Sequence, residues 1–283
     1  MSKFFMSKLN ISKNCVDNMN SFAFKECASL ISLYLDDNNI EVISANAFNG
    51  LAKMKTLMLS RNVLSSLAPA AFADTTSLKK LVLNFNYFSK FPRKAIKALS
   101  KLQILHMADN QLTSLSSADL AALVSLHEVS FARNMLASVE ATIFLPITKI
   151  ANIDFTGNFL SSLEPFEGMS LANTKLLLEN NTFSCDCSIY NFYNWMKSAE
   201  EVDNSIECST PEKFHGYNLL ELSSHEVCDE TTTVSTTSTT TTTTTRQKTT
   251  TRVTVATTTE VMLPLPPGTR EPAQFKCMVT SVR

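Results

Sequence analysis

Four cysteines late in the chain are the side chains with the clearest chemical potential. Cys185, Cys187, Cys208 and Cys228 are spaced C-x-C-x20-C-x19-C, and the single tryptophan, Trp195, lies among them. Grouped thiols can hold a metal, run a redox couple or staple a fold. Zinc sites favour C-x2–4-C pairs, and thioredoxin-type exchange uses C-x-x-C. Neither spacing occurs here, yet what the thiols do depends on what precedes them. Other reactive groups are sparse. There are four histidines, His106, His127, His215 and His225. No G-x-S-x-G, H-E-x-x-H or glycine-rich phosphate loop is present. Asp36, Asp37 and Asp109 read as lone, solvated carboxylates, outside any D-x-D-x-D-G calcium loop. The expectation is a protein that is not an enzyme, with no cofactor and no metal.

Bulk properties narrow the class further. The net charge is −1, from 25 basic and 26 acidic residues, so the basic excess of a nucleic-acid binder is absent. Hydrophobic residues make up 44%, enough for a sizeable core, and glycines number five. No apolar run reaches the roughly 18 residues of a membrane span. The opening stretch, MSKFFMSKLNISKN, lacks the apolar core of a secretory leader.

The dominant signal is a repeat. Asn14, Asn38, Asn62, Asn86, Asn110, Asn134 and Asn158 recur every 24 residues, and Asn181 follows after 23. LISLYLDDNNI (30–40), MKTLMLSRNVL (54–64), LKKLVLNFNYF (78–88), LQILHMADNQL (102–112), LHEVSFARNML (126–136) and IANIDFTGNFL (150–160) share one pattern, L-x-x-L-x-L-x-x-N-x-L. NTKLLLENNTF (173–183) is a degenerate copy, and another begins at Met6. The alternation in L-x-L buries one face of a short strand. Each strand is expected to pair in parallel with the next repeat's, about 4.8 Å away. The Asn falls where the chain leaves the strand, and its amide can bond backbone groups that need partners. Phe24, Phe48, Phe72, Ile96, Leu120 and Phe144 form a second apolar column. Cys27, Leu51, Thr75, Leu99, Leu123, Ile147 and Leu171 form a third. All are read as core, with Cys27 a buried free thiol in place of Leu.

The repeats resemble the leucine-rich-repeat family. The cysteines after the last repeat, with Trp195 and CSTPEKFHGYNLLEL (208–222), resemble the cysteine-rich C-terminal flanking domain of its extracellular members. The resemblance covers residues 6 to 228 and implies an α/β solenoid. Its form would be a right-handed horseshoe with short parallel strands on the concave face. A solenoid end needs a cap, and the family's pairing implies Cys185–Cys208 and Cys187–Cys228, with Trp195 and Phe192 as an apolar plug. Each bridge would be worth about 3 kcal/mol by loop entropy.

The expected organisation is leucine-rich repeats over 1–180, a cap over 181–230, a mucin-like Thr-rich stalk over 231–260 and an unstructured tail over 261–283. Disulfides imply an oxidising compartment. Sequons at Asn10 and Asn180 agree, so the protein is expected outside the cell or at its surface. Met1–Asn14 enters within a repeat without an N-terminal cysteine cap, Cys15 follows a repeat Asn, and Cys277 is left over. The chain is therefore expected to be part of a longer protein, with any membrane attachment in a missing segment. Repeats, cap and Thr-rich stalk are similar in layout to the variable lymphocyte receptors, and Slit-type and Toll-type ectodomains share the first two.

This layout implies recognition of a protein or glycan ligand. Positions three, five, seven and eight of each repeat should face outward from the concave sheet. There Tyr34, Met58, Val82, Phe85, Ile104 and His106 form an apolar centre, with Arg61 and Arg133 available to acidic groups of a partner. An apolar centre inside a polar rim is the anatomy of a binding hot spot. The alternatives are a matrix protein whose solenoid is a spacer, and a fragment of a larger leucine-rich-repeat protein. The stalk generates the first test. Expression in a secretory host should add mass through the threonines of 231–259, and a bare polypeptide mass over this segment would contradict a mucin-like stalk.

Overall fold

The computed structural model describes residues 6–198 and 206–228. The Thr-rich segment, the tail and Cys277 lie outside the described residues. Eight three-residue strands form one parallel sheet in chain order. They are Lys8–Asn10, Ser32–Tyr34, Thr56–Met58, Lys80–Val82, Ile104–His106, Glu128–Ser130, Asn152–Asp154 and Lys175–Leu177. The central residues align without slippage, from Leu9, Leu33, Leu57, Leu81 and Leu105 to Val129, Ile153 and Leu176. From Leu33 onward these residues are buried. Because side chains alternate along a strand, positions three and five then face the other way.

The opposite side of the solenoid is mostly built of turns. It carries two one-turn helices, Arg93–Ile96 and Ser117–Leu120. The second is closed by a capping box, in which the Asp119 carboxylate accepts from the N–H and hydroxyl of Ser116 at 2.8 Å. Both expected columns are buried there up to Ile147. Leu171, in the shortened last repeat, is half-buried. Phe24, Phe48 and Phe72 stack with centroids 6.0 and 5.5 Å apart. Thr75 replaces a leucine without leaving an unpaired hydroxyl, since its Oγ1 donates to the Phe72 carbonyl at 3.1 Å. Cys27 corrects the expectation of a free thiol, because it is disulfide-bonded.

The Asn column is the main polar element of the interior. Asn62 is typical. Its Nδ2 donates to Leu59 O of its own turn and to Leu35 O of the preceding repeat, each at 3.0 Å. Its Oδ1 accepts from Ile40 N at 3.0 Å. Asn38, Asn86, Asn110, Asn134 and Asn158 repeat these bonds, and all six are buried. The residue before each Asn is left-handed, with φ between 50° and 55° at Asp37, Arg61, Phe85, Asp109, Arg133 and Asn180. Only Gly157 relieves this position with a glycine. Such a conformation costs an ordinary residue about 1–2 kcal/mol. From Asp37 to Arg133 it turns the N–H onto the next repeat, as in Arg61 N to Asn84 O at 2.9 Å and Phe85 N to Ala108 O at 3.0 Å.

The C-terminal end is closed as the resemblance implied. Cys185–Cys208 and Cys187–Cys228 are disulfides, with Cα atoms 5.6 and 4.5 Å apart. The first joins the exit of the last repeat to the strand Cys208–Thr210, and the second anchors the helical segment of the cap to Ser224–Val227. The helix Tyr190–Lys197 buries Phe192, Tyr193 and Met196. Trp195 is half-buried and packs edge-on against Phe166 at 6.0 Å, so the plug meets the repeat core through aromatic contact. Tyr193 donates its hydroxyl to Leu222 O at 2.8 Å.

Three substitutions separate these contributions. Leu83→Ala should cost about 2–5 kcal/mol, as for large-to-small changes in a fully buried column. Asn110→Ala leaves a buried N–H and carbonyls without partners and should cost more than about 2 kcal/mol. Asn14→Ala should stay within about 0.5 kcal/mol, because Asn14 is exposed and bonds only its own turn. Urea denaturation of the three variants checks the ordering, and equal losses for Asn14 and Asn110 would contradict it.

Candidate functional site

The concave positions are delivered by the register just described. Tyr34, Met58, Val82 and His106 stand in one row across four strands. Their environments differ from the expectation of a uniformly open apolar centre. Tyr34 is half-buried, with the Lys8 ammonium 4.8 Å above its ring. Met58 and Ile104 are half-buried. Val82 must be corrected: it is 4% exposed. A short β-branched side chain between the longer Met58 and His106 recedes below them. His106 is tied to the next strand, its Nε2 lying 2.6 Å from Glu128 Oε1.

Position eight also differs. Asp37 and Asp109 are not the lone carboxylates expected. Arg133 donates through Nε and Nη2 to the two oxygens of Asp109, both at 2.7 Å. These bonds push the Arg133 guanidinium above its ordinary pKa against the opposing effect of burial. Arg61 lies 3.8 Å from Asp37 and 5.0 Å from the centre of the Phe85 ring. Phe85 is 43% exposed at its edge. The left-handed backbone at this position aims consecutive side chains along the solenoid, so they meet one another instead of projecting alone.

The depression on this face lies towards the C-terminal repeats. It encloses about 470 Å³ between His106 and Leu177, with Glu128, Ser130, Asn152, Asp154, Arg133 and Lys175 among its walls. Ser130 Oγ donates to Asp154 Oδ2 at 2.9 Å. His106 and Arg133 therefore line this hollow, whereas Tyr34, Met58, Arg61, Val82, Phe85 and Ile104 do not. Its walls carry both signs of charge and hydroxyl groups, a set suited to a polar ligand surface. Glu128, Asp154 and Lys175 occupy the same sequence columns but lie outside the apolar cluster that marks the expected centre.

A second feature was readable in the sequence and missed. After four of the repeat Asn residues stands an exposed apolar or aromatic residue: Val63, Tyr87, Met135 and Phe159. Their N–H groups bond the preceding repeat, as in Tyr87 N to Leu64 O at 2.8 Å, which sets them in a row along one flank. The two sequons are exposed at opposite ends of the solenoid. Asn10 pairs in register with Tyr34, and Asn180 occupies the left-handed position of the last repeat. Among the described residues no group of three or more His, Cys, Asp and Glu is placed to hold a metal ion.

Comparison with known proteins agrees with this architecture. The leucine rich repeat family model matches residues 6–64, 28–88 and 76–136. Trophoblast glycoprotein of Rattus norvegicus is 35% identical over 68 residues, covering 23% of this chain and 16% of that protein. The Mus musculus protein of the same name is 36% identical over 66 residues, covering 22% and 16%. The chain's match thus spans about a sixth of the length of these relatives. A crystal structure of human 5T4 (Wnt-activated inhibitory factor 1, trophoblast glycoprotein) superposes with a TM-score of 0.69 and 28% identity, covering 77% of this chain and 86% of that one. With its Asn ladder, single parallel sheet and disulfide cap, the chain has a leucine-rich-repeat solenoid fold similar to that of trophoblast glycoprotein.

Proposed function

We propose that this chain is an extracellular or cell-surface recognition module that binds a protein or glycan ligand on its concave face. The observation carrying this reading is the 470 Å³ hollow, where His106, Glu128, Ser130, Asp154, Arg133 and Lys175 converge from successive strands. Their backbones are fixed by the sheet and the Asn ladder, so a ligand would meet a preorganised surface and little ordering entropy would oppose binding. Tyr34, Met58, Arg61, Phe85 and Ile104 extend the surface towards the N-terminal repeats. Val82 supports it from beneath.

Two buried disulfide cysteines, Cys185 and Cys208, support the extracellular setting, since such bridges persist in oxidising compartments. So does the exposure of both sequons. A glycan on Asn10 would stand beside Tyr34 and crowd that end of the face. Such a glycan would favour contacts nearer the hollow, away from Asn10.

The test is a panel of concave variants in the secreted chain, read against a ligand selected from extracellular protein and glycan arrays. Glu128→Ala, Asp154→Ala and Lys175→Ala should each weaken binding tenfold or more. Phe85→Ala should weaken it by more than 1 kcal/mol, as hot-spot truncations do. Asp109→Ala should also weaken it by releasing Arg133. If binding survives all of these and is lost on changing the cap or the turn side, the concave assignment is wrong. Enzymatic deglycosylation should remove one glycan from each of Asn10 and Asn180. Unmodified sequons on the secreted protein would remove that support.

A further inference from the structure

A second hollow among the described residues lies off the concave face. It encloses about 610 Å³ where one flank turns into the side opposite the strands. Three successive repeats build its hydroxyl wall: Ser65 and Ser66, then Ser89, then Thr113 and Ser114, with Ser116 beyond. Lys90, Arg93 and Lys94 line the same space. They belong to the run KFPRKAIK (90–97), which holds four basic residues in eight. Short basic runs of this density are a signature of polyanion patches.

The repeat itself shows that the fold does not ask for these cations. The places of Arg93 and Lys94 are taken by Ala45 and Asn46, Pro69 and Ala70, Ser117 and Ala118, and Ala141 and Thr142 in other repeats. The place of Lys90 is taken by Val42, Ser66, Ser114 and Ser138. All three basic side chains are exposed, and none forms an ion pair among the described residues. The one carboxylate in the lining, Asp119, is committed to the N–H and hydroxyl of Ser116. The hollow therefore holds uncompensated positive charge.

We infer that this hollow is a binding site for a sulfated oligosaccharide. Sulfate groups pair with Lys90, Arg93 and Lys94, guanidinium and ammonium groups being the usual partners of such anions. Ring hydroxyls exchange hydrogen bonds with the serine and threonine wall. Leu67, Pro69 and Pro92 offer apolar surface to the sugar's C–H faces. The volume lies within the roughly 300–1,000 Å³ of small-ligand sites. An acidic saccharide suits the lining better than a nucleic acid, since the lining holds no exposed aromatic ring on which a base could stack: Phe91 is 9% exposed. The site is independent of the concave reading and faces away from it.

The experiment is calorimetric titration of the secreted full chain with a heparin-derived hexasaccharide at two salt concentrations. The expected result is saturable 1:1 binding that weakens at higher salt. The K90Q/R93Q/K94Q variant should lose affinity tenfold or more. The K53Q/K55Q/K149Q variant carries the same charge change outside this hollow and should keep it. A desulfated hexasaccharide should not bind, and inorganic sulfate should bind far more weakly than the oligosaccharide. Thermal melts establish that both variants are folded. Absence of binding, equal losses in the two variants, or equal binding of the desulfated sugar would overturn the proposal. Equal competition by a single-stranded oligonucleotide would overturn the saccharide assignment and leave a general polyanion site.

Discussion

Everything in this solenoid depends on how the chain leaves each strand. Each three-residue strand bonds only to its neighbours, and the turn that follows it would leave carbonyls facing an apolar interior. A buried backbone group without a partner costs more than a single packing contact returns. The Asn amide resolves this by bonding its own turn and the preceding repeat at once, as Asn62 does with Leu59 O and Leu35 O. Each Asn therefore also fixes the stacking of its repeat on the one before. The left-handed residue ahead of it is part of the same arrangement, since its N–H reaches the next repeat. Strand spacing, the phenylalanine stack and the row of concave side chains follow from that one repeated geometry.

The two faces bear different consequences of it. On the concave side, register brings one residue per repeat into each row, so surface chemistry is written one substitution at a time. That is how His106, Glu128, Ser130 and Asp154 come to surround one hollow although they are scattered through the sequence. On the other side the turns are less constrained, and the 90–97 segment departs from its counterparts without disturbing the core, since Phe91, Ala95 and Ile96 remain buried. Tolerance of this kind lets a repeat protein carry a second surface beside its principal one. The cap completes the scaffold by covering the last repeat with Phe192, Met196 and Trp195 and by locking their segment with two bridges.

The sequence carried the fold well and the site less well. Strand register, the Asn column and the Phe24–Phe48–Phe72 stack were legible because each is periodic, and periodicity needs no knowledge of side-chain direction. The disulfide pairing came from family resemblance, since spacing alone does not choose among connectivities. Val82 was misplaced because a strand position says which face a residue occupies but not how its neighbours cover it. The Asp109–Arg133 pair was missed because its members are 24 residues apart at a position whose left-handed backbone the sequence does not announce. Cys27 occupies a leucine position, and the column pattern holds no trace of its bond.

The proposed recognition puts ligand on the concave rows and not on the apolar flank. Hydroxyl-radical footprinting with and without bound ligand tests it within one molecule, because Met58 lies on the first surface and Met135 on the second. On this account ligand should protect Met58 and His106 from oxidation and leave Met135, Tyr87 and Phe159 unchanged. Protection of Met135, Tyr87 and Phe159 with Met58 and His106 still fully reactive would contradict it.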